Sequence, residues 1–269
     1  MSNRYGPVFQ QVEAQNRIAF IPFVTLGDPD IETSKSIIKT LIASGADALE
    51  LGFPFSDPIA DGPTIQKASI RALDNQVTIE QSLQLLKEIR EEYPDIPIGL
   101  LTYCNLVMRG GVDAFYQRLS KIGVDSILVA DVPLLEAHPF LDAAKKYALE
   151  QVLILPPDAS DDVVHLVAEH SQGYVYMLSR AGVTGTEVVA SMPPDSMINR
   201  LTQMKSAPPV LGFGISKTEH VKAAKAAGAK GAISGSAVVR IIEENVDDVP
   251  VMLENLSSFV KDMRQAATR

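Results

Sequence analysis

The sequence predicts a (β/α)8 barrel on three observations. Short apolar runs alternate with helix-period segments, eight such runs can be counted, and each is continuously apolar instead of alternating with polar residues. A continuously apolar strand is buried on both faces, which is the condition of a parallel strand under crossover helices, and eight successive β-then-α units close into a barrel. An open doubly wound sheet is the competing topology.

Residues 2–13 are expected to form an extra helix ahead of the first strand, 19–25. The remaining strands are expected at 47–51, 96–103, 125–130, 151–155, 174–178, 210–213 and 231–234. A helix-period segment, a glycine and a short β-rich run recur as ASGADALELG (43–52), KIGVDSILVADVP (121–133) and AAGAKGAISGS (226–236). Gly45, Gly123 and Gly228 in these repeats fall where a helix ends in a left-handed residue before a strand. The second βα connection is long enough for two helices, near 62–73 and 78–92. Segment 180–192, with Gly182 and Gly185 and few large apolar residues, is expected to be a mobile loop after strand six, and a short extra helix follows strand eight. No linker or change of composition divides residues 1–269, so one barrel domain is expected.

With 46% hydrophobic residues the chain can bury a large core. Thirty-three acidic against 24 basic residues, without a basic block, argue against a nucleic-acid partner. Cys104, the single cysteine, rules out an intramolecular disulfide and a cysteine-based zinc site. The first residues carry no apolar signal core and no run approaches the ~20 apolar residues that span a bilayer, so a cytoplasmic protein without membrane contact is expected.

Two carboxylates stand out. Glu50 interrupts the apolar run Ala48, Leu49, Leu51, and Asp61 follows in a Pro- and Gly-rich loop. In a barrel, strand C-termini and the loops after them build the active site. A buried carboxyl group has its pKa raised towards neutrality, which suits Glu50 to acid–base work, whereas Asp61, on a loop, is better placed to stay ionised. Taken singly, Glu50 could be a structural carboxylate and Asp61 a turn or helix N-cap residue. The four histidines, His138, His165, His170 and His220, lie in helical segments on the outer surface, so metal chemistry lacks its usual ligands and no metal site is expected. No lysine ends a strand, which removes a Schiff-base nucleophile.

A second constellation lies near the C-terminus. VLGFGISK (210–217) and AISGSAVVR (232–240) place Gly214, Gly235 and Ser236 in the loops after strands seven and eight, at the start of a short helix. Glycines admit an anion close to backbone N–H groups and a helix N-terminus attracts it, so a phosphate site is expected. Glycines at such turns can also be mere steric necessities. The loop SRAGVTG (179–185) could close over the same ligand with Thr184 and Gly185.

PFVTLGDPD (22–30), ALELGFPFSDPIADGPTIQ (48–66), YCNLV (103–107), LVADVP (128–133), SRAGVTG, GFGIS and AISGSAVV follow the order and spacing of one family, and the chain closely resembles the tryptophan synthase alpha subunit along essentially its whole length. The resemblance implies a barrel lyase for the retro-aldol cleavage of indole-3-glycerol phosphate to indole and glyceraldehyde 3-phosphate, with Glu50 and Asp61 catalytic. It places Phe23, Leu101, Leu128, Ile154, Tyr176, Phe213 and Ile233 around the indole and propyl chain. It implies no cofactor in this chain, pyridoxal phosphate in a beta-subunit partner that receives indole through a tunnel, and an α2β2 assembly. Partner contacts are expected at Pro54, Phe55, Ser56, Asp57, Pro58 and Asn105, in mouth loops where Phe53, Pro54, Phe55 and Pro58 are expected to be exposed, with self-packing over the pocket the alternative, for Phe53 in particular. Phe53, Ile59, Cys104 and Asp158 depart from commoner members, away from both carboxylates. A free indole lyase, a barrel isomerase and a non-catalytic regulatory barrel are the rival readings.

Overall fold

A computed structural model describes residues 4–179 and 195–268. Thr184, Gly185 and the expected lid 180–192 lie outside the described residues. The strands are β1 (Ala19–Thr25), β2 (Leu49–Gly52), β3 (Ile98–Thr102), β4 (Ser126–Val129), β5 (Glu150–Gln151), β6 (Leu153–Leu155), β7 (Val175–Leu178), β8 (Pro209–Gly212) and β9 (Gly231–Ser234). All pairings are parallel, in the order β5-β4-β3-β2-β1-β9-β8-β7-β6. The two ends of that order are successive pieces of one run, split at Val152, whose N–H donates to Ile127 O at 2.9 Å. Residues 150–152 therefore face β4 and 153–155 face β7, which closes a (β/α)8 barrel and excludes the open sheet.

The strands are apolar on both sides for two different reasons. Leu49, Leu51, Ile98, Leu100, Ile127, Val129, Val175 and Met177 point outward into the layer under the helices. Their neighbours Ile21, Phe23, Leu128, Val152, Tyr174, Tyr176, Val210 and Ile233 point into the barrel and form a separate inner cluster. This period-two division sets which residue of each strand can reach a ligand.

The helices are α1 (Tyr5–Ala14), α2 (Ile31–Ala43), α3 (Pro63–Asp74), α4 (Ile79–Glu92), α5 (Cys104–Met108), α6 (Val112–Ile122), α7 (His138–Tyr147), α8 (Asp161–His170), α9 (Asp195–Gln203), α10 (Thr218–Ala226), α11 (Ser236–Glu244) and α12 (Val249–Ala266). The expected glycines do end helices in the left-handed region, with φ of 100° at Gly45, 91° at Gly123 and 89° at Gly228. The long second connection contains both expected helices, α3 and α4. The extra N-terminal helix α1 closes the floor of the barrel, where the buried Tyr5 hydroxyl shares a 2.9 Å hydrogen bond with Ser126 Oγ. Among the described residues no helix is long and apolar enough to cross a membrane.

Candidate active site

Glu50 is placed by the pleat of β2. With Leu49 and Leu51 turned out to the helices, Glu50 must turn in, between Phe23 of β1 and Gly99 of β3 in register. It is 2% exposed, and the Tyr174 hydroxyl donates to its Oε1 at 2.9 Å. Burial lifts its pKa to about 7; the Tyr174 hydrogen bond pulls the other way, and the nearby Asp61 charge adds to the rise. The group is thus poised to be acid and base in turn.

Asp61 ends the loop after β2, immediately before α3. Its loop position suggested solvation, but it is 7% exposed, and burial raises its pKa to about 6 against the lowering effect of a hydrogen bond from Tyr103. The Tyr103 hydroxyl donates to Oδ2 at 2.8 Å. Asp61 therefore remains the more acidic of the two carboxylates. It is not a helix cap: Gly62 occupies the N-cap position of α3, with Pro63 following.

The loop between the carboxylates differs from expectation. Phe53 is 3% exposed and packs edge-on against Phe115, with ring centroids 6.1 Å apart; Pro54 is also buried. A large aromatic ring beside an outward-facing apolar layer gains more from burial than a loop gains by displaying it. Phe55 is half-buried and stacks on Tyr103 at 5.1 Å. Pro58 is also half-buried, while Ser56, Asp57, Ile59 and Asn105 face out, Ile59 at 74% exposure.

Both carboxylates open onto one cavity at the C-terminal end of the strands. Its apolar walls contain Phe23, Leu101, Leu128 and Ile154 together with Tyr176, Phe213 and Ile233, so all seven expected pocket residues meet in one place. Gly214, Gly235 and Ser236 line the same cavity. Phe213 and Gly214 take successive positive φ values of 61° and 75°, which turns the chain after β8 sharply across the mouth. The turn is fixed by Ser179 Oγ donating to Phe213 O at 2.5 Å and Ser234 Oγ donating to Ile215 O at 2.6 Å. Gly235 is the N-cap position of α11 and makes no side-chain cap, so the start of that helix, which carries partial positive charge, opens at the cavity wall.

Sequence reasoning missed the partners of these groups. Tyr174 has the same strand parity as Tyr176, which could have marked it as facing the barrel interior. Tyr103, at the end of the third strand, gave a weaker signal. His220 is in a helix, as expected, but it is half-buried and its Nδ1 accepts from Ser216 N at 3.2 Å, which ties α10 to a cavity-lining loop. Among the described residues no group of three or more His, Cys, Asp and Glu could hold a metal.

A closed parallel barrel with one buried carboxylate on a strand, a second in the loop that follows it and a helix N-terminus at the same cavity defines a TIM-barrel enzyme. Residues 9–268 match the family described as tryptophan synthase alpha chain. The tryptophan synthase alpha chain of Cronobacter sakazakii is 53% identical over 264 residues, covering 98% of each chain. Among solved structures, tryptophan synthase subunit alpha from Legionella pneumophila is similar at a TM-score of 0.88 and 28% identity, covering 99% of each chain. A Mycobacterium tuberculosis tryptophan synthase structure matches at 0.88 and 29% over the full length of both. The chain belongs to the tryptophan synthase alpha chain family. Its activity is the alpha reaction, carbon–carbon cleavage of indole-3-glycerol phosphate in tryptophan biosynthesis, and the alpha chain does not itself bind pyridoxal phosphate.

Proposed function

We propose that Glu50 and Asp61 divide the chemistry of this cleavage between them. The observation that carries the assignment is their convergence, buried and each held by one tyrosine hydroxyl, on the cavity that also meets the start of α11. Neutral Glu50 gives its proton to indole C3, which interrupts the pyrrole aromaticity and leaves an indolenine cation. Asp61, as carboxylate, accepts the hydrogen bond of the indole N–H and stabilises that positive charge. Glu50, now ionised, takes the proton of the hydroxyl on the carbon attached to C3. The O–H electrons form the aldehyde C=O, and the electrons of the breaking C–C bond return to the ring. Indole and glyceraldehyde 3-phosphate leave, and Glu50 is protonated again, so no cofactor or water is consumed.

Gly214, Gly235 and Ser236 hold the phosphate; Thr184 and Gly185, expected to bind it too, lie outside the described residues. The seven apolar and aromatic wall residues take up the indole and the propyl chain. We further propose that residues 1–269 act as one barrel domain in the cytoplasm and join a pyridoxal-phosphate-bearing beta chain as α2β2. Contact would run through Pro54, Phe55, Ser56, Asp57, Pro58 and Asn105. The outward-facing Ile59 and Met108, 74% and 56% exposed, support an apolar docking rim, while the buried Pro54 would contribute by shaping the loop.

Indole release from indole-3-glycerol phosphate is the test. Glu50→Gln is expected to bind substrate and release less than a tenth as much indole; a higher turnover would overturn the assignment. Asp61→Asn is expected to bind and cleave poorly, and a normal kcat would remove it from the mechanism. Addition of a beta chain should stimulate release strongly, whereas high activity alone, unchanged by the beta chain, would identify a free lyase.

A further inference from the structure

We infer that Tyr103 is the positioning residue of Asp61 and the link through which the mouth loop acts on it. The inference rests on the reading of Asp61 as the acceptor of the indole N–H.

Tyr103 stands behind Asp61, outside the cavity lining, and is 1% exposed. Its hydroxyl donates to Oδ2 at 2.8 Å. One carboxylate oxygen is thereby fixed, which leaves Oδ1 for a substrate donor and sets the rotation of the group. A hydrogen bond donated to the ionised form also favours that form, which is the form that stabilises a cationic ring. Burial and the Asp61 charge both raise the Tyr103 phenol, so it stays a donor.

The other side of Tyr103 is covered by the mouth loop. The Phe55 ring lies nearly parallel to it, at 25° and 5.1 Å between centroids, and the next two residues, Ser56 and Asp57, are exposed. A displacement of this loop would uncover the Tyr103 ring and admit water to the Tyr103–Asp61 bond. The titratable groups that bear on Asp61 and its partner come from several elements: Glu50 on β2 and Tyr176 on β7 interact with Asp61, and Asp131, after β4, acts on Tyr103. Of these, Tyr103 alone donates a hydrogen bond to the Asp61 carboxylate among the described residues.

The experiment compares wild type, Tyr103→Phe, Phe55→Leu and Asp61→Asn as full chains, with and without a tryptophan synthase beta chain, measuring indole release against pH. In Tyr103→Phe, kcat is expected to fall about 10- to 100-fold, as for loss of a hydrogen bond to a charged group, with KM changed less than about threefold. The acid limb of its kcat profile should move up by about one pH unit, because Asp61 protonates more readily. Phe55→Leu admits water, which relieves the desolvation that raises the Asp61 pKa, so it should move the limb down by a smaller step and reduce stimulation by the beta chain. A native acid limb in Tyr103→Phe, with circular dichroism showing a native fold, overturns the inference. Should that variant not fold, an unmoved or raised limb in folded Phe55→Leu overturns it and a lowered limb supports it. Normal turnover in Asp61→Asn instead overturns the underlying reading, so the two failures are distinguishable.

Discussion

The Tyr174 hydroxyl donates to Glu50 Oε1 at 2.9 Å from the floor side of the barrel. Tyr174 is itself packed edge-on against Tyr5 of α1, with ring centroids 5.5 Å apart, and Tyr5 is bonded to Ser126. The extra helix before the first strand is thus connected through two buried rings to the acid–base carboxylate. A hydrogen bond that favours the charged form opposes the desolvation that favours the neutral one, and here desolvation is the larger effect.

Replacing Tyr174 by Phe removes the opposing effect while keeping the ring. The Glu50 pKa should then rise above its present value of about 7. Because Glu50 must be neutral to protonate C3, the basic limb of the pH–kcat profile is expected to move up, by about half a unit to one unit. The measurement is indole release between pH 6 and 9; an unmoved basic limb would contradict the role given to this bond.

The same burial couples Glu50 to stability. Its pKa is 4.5 in the reference state and about 7 in the fold, so between those values the folded chain holds a proton that the unfolded chain has released. Stability from this group is full below pH 4.5 and falls as pH rises through about 7. Asp61 acts in the same direction between 3.8 and about 6. Glu50→Gln, which cannot ionise, is expected to be as stable as wild type near pH 5 and more stable at pH 8, by on the order of 2–3 kcal/mol. Urea denaturation at the two pH values measures it, and equal differences at both would contradict the linkage.

Helix α3, which starts two residues after Asp61, is held by a buried ion pair. Arg71 donates from Nε and Nη2 to the two oxygens of Asp28, at 2.7 and 2.8 Å, and the Asp28 side chain is fully buried. Asn75 adds a bond to Pro29 O at 2.8 Å. Arg71→Ala would leave a buried carboxylate without its partner, at a cost of about 2–4 kcal/mol after the group protonates. Since Asp61 lies in the loop that leads directly into this helix, kcat should fall as well. Arg71→Lys keeps the charge but loses the two-pronged geometry and should lie between. Thermal unfolding together with indole release tests both effects; a fully stable Arg71→Ala would show that this pair does not anchor the helix.

The barrel was legible because its signals are local and repeated: the glycine after three of the helices, the doubly buried strands and the two helices of the second connection all leave periodic marks. Glu50 was legible because a charge in an apolar strand is conspicuous, and Gly214, Gly235 and Ser236 because helix-start chemistry has a short signature. What the sequence did not disclose depended on which side chains meet across the barrel. Tyr174 and Tyr103 are 124 and 42 positions from the carboxylates they hold, so nothing in their immediate neighbours marks the pairing. A loop at the barrel mouth suggests an exposed rim at Phe53 and Pro54, and the structure takes the alternative, packing of Phe53 against the protein itself. The burial of Phe53 follows from Phe115 of α6, which lies 62 positions further along the chain and packs against it.

Gly212 shows how closely the cavity wall is fitted. A Cβ at this position would lie 2.4 Å from both Cζ and the hydroxyl oxygen of Tyr176, and 2.5 Å from Cε1. Gly212 is paired with Leu178 in the β7–β8 register, two residues beyond Tyr176, so its inward face is occupied by the neighbouring ring. In Gly212→Ala the backbone need not move, because the obstructed atoms are the far end of a side chain; the ring can swing instead. Tyr176 lines the cavity wall, so a swing towards the cavity takes room from the substrate. The fold should therefore lose little, about 1–2 kcal/mol, while substrate loses room. KM for indole-3-glycerol phosphate is expected to rise about tenfold or more, with a smaller change in kcat, because the obstruction acts on bound substrate and transition state alike. Steady-state kinetics separates the two, and a variant that kept the wild-type KM while losing kcat would show that the ring moves towards Glu50 and disturbs the chemistry directly.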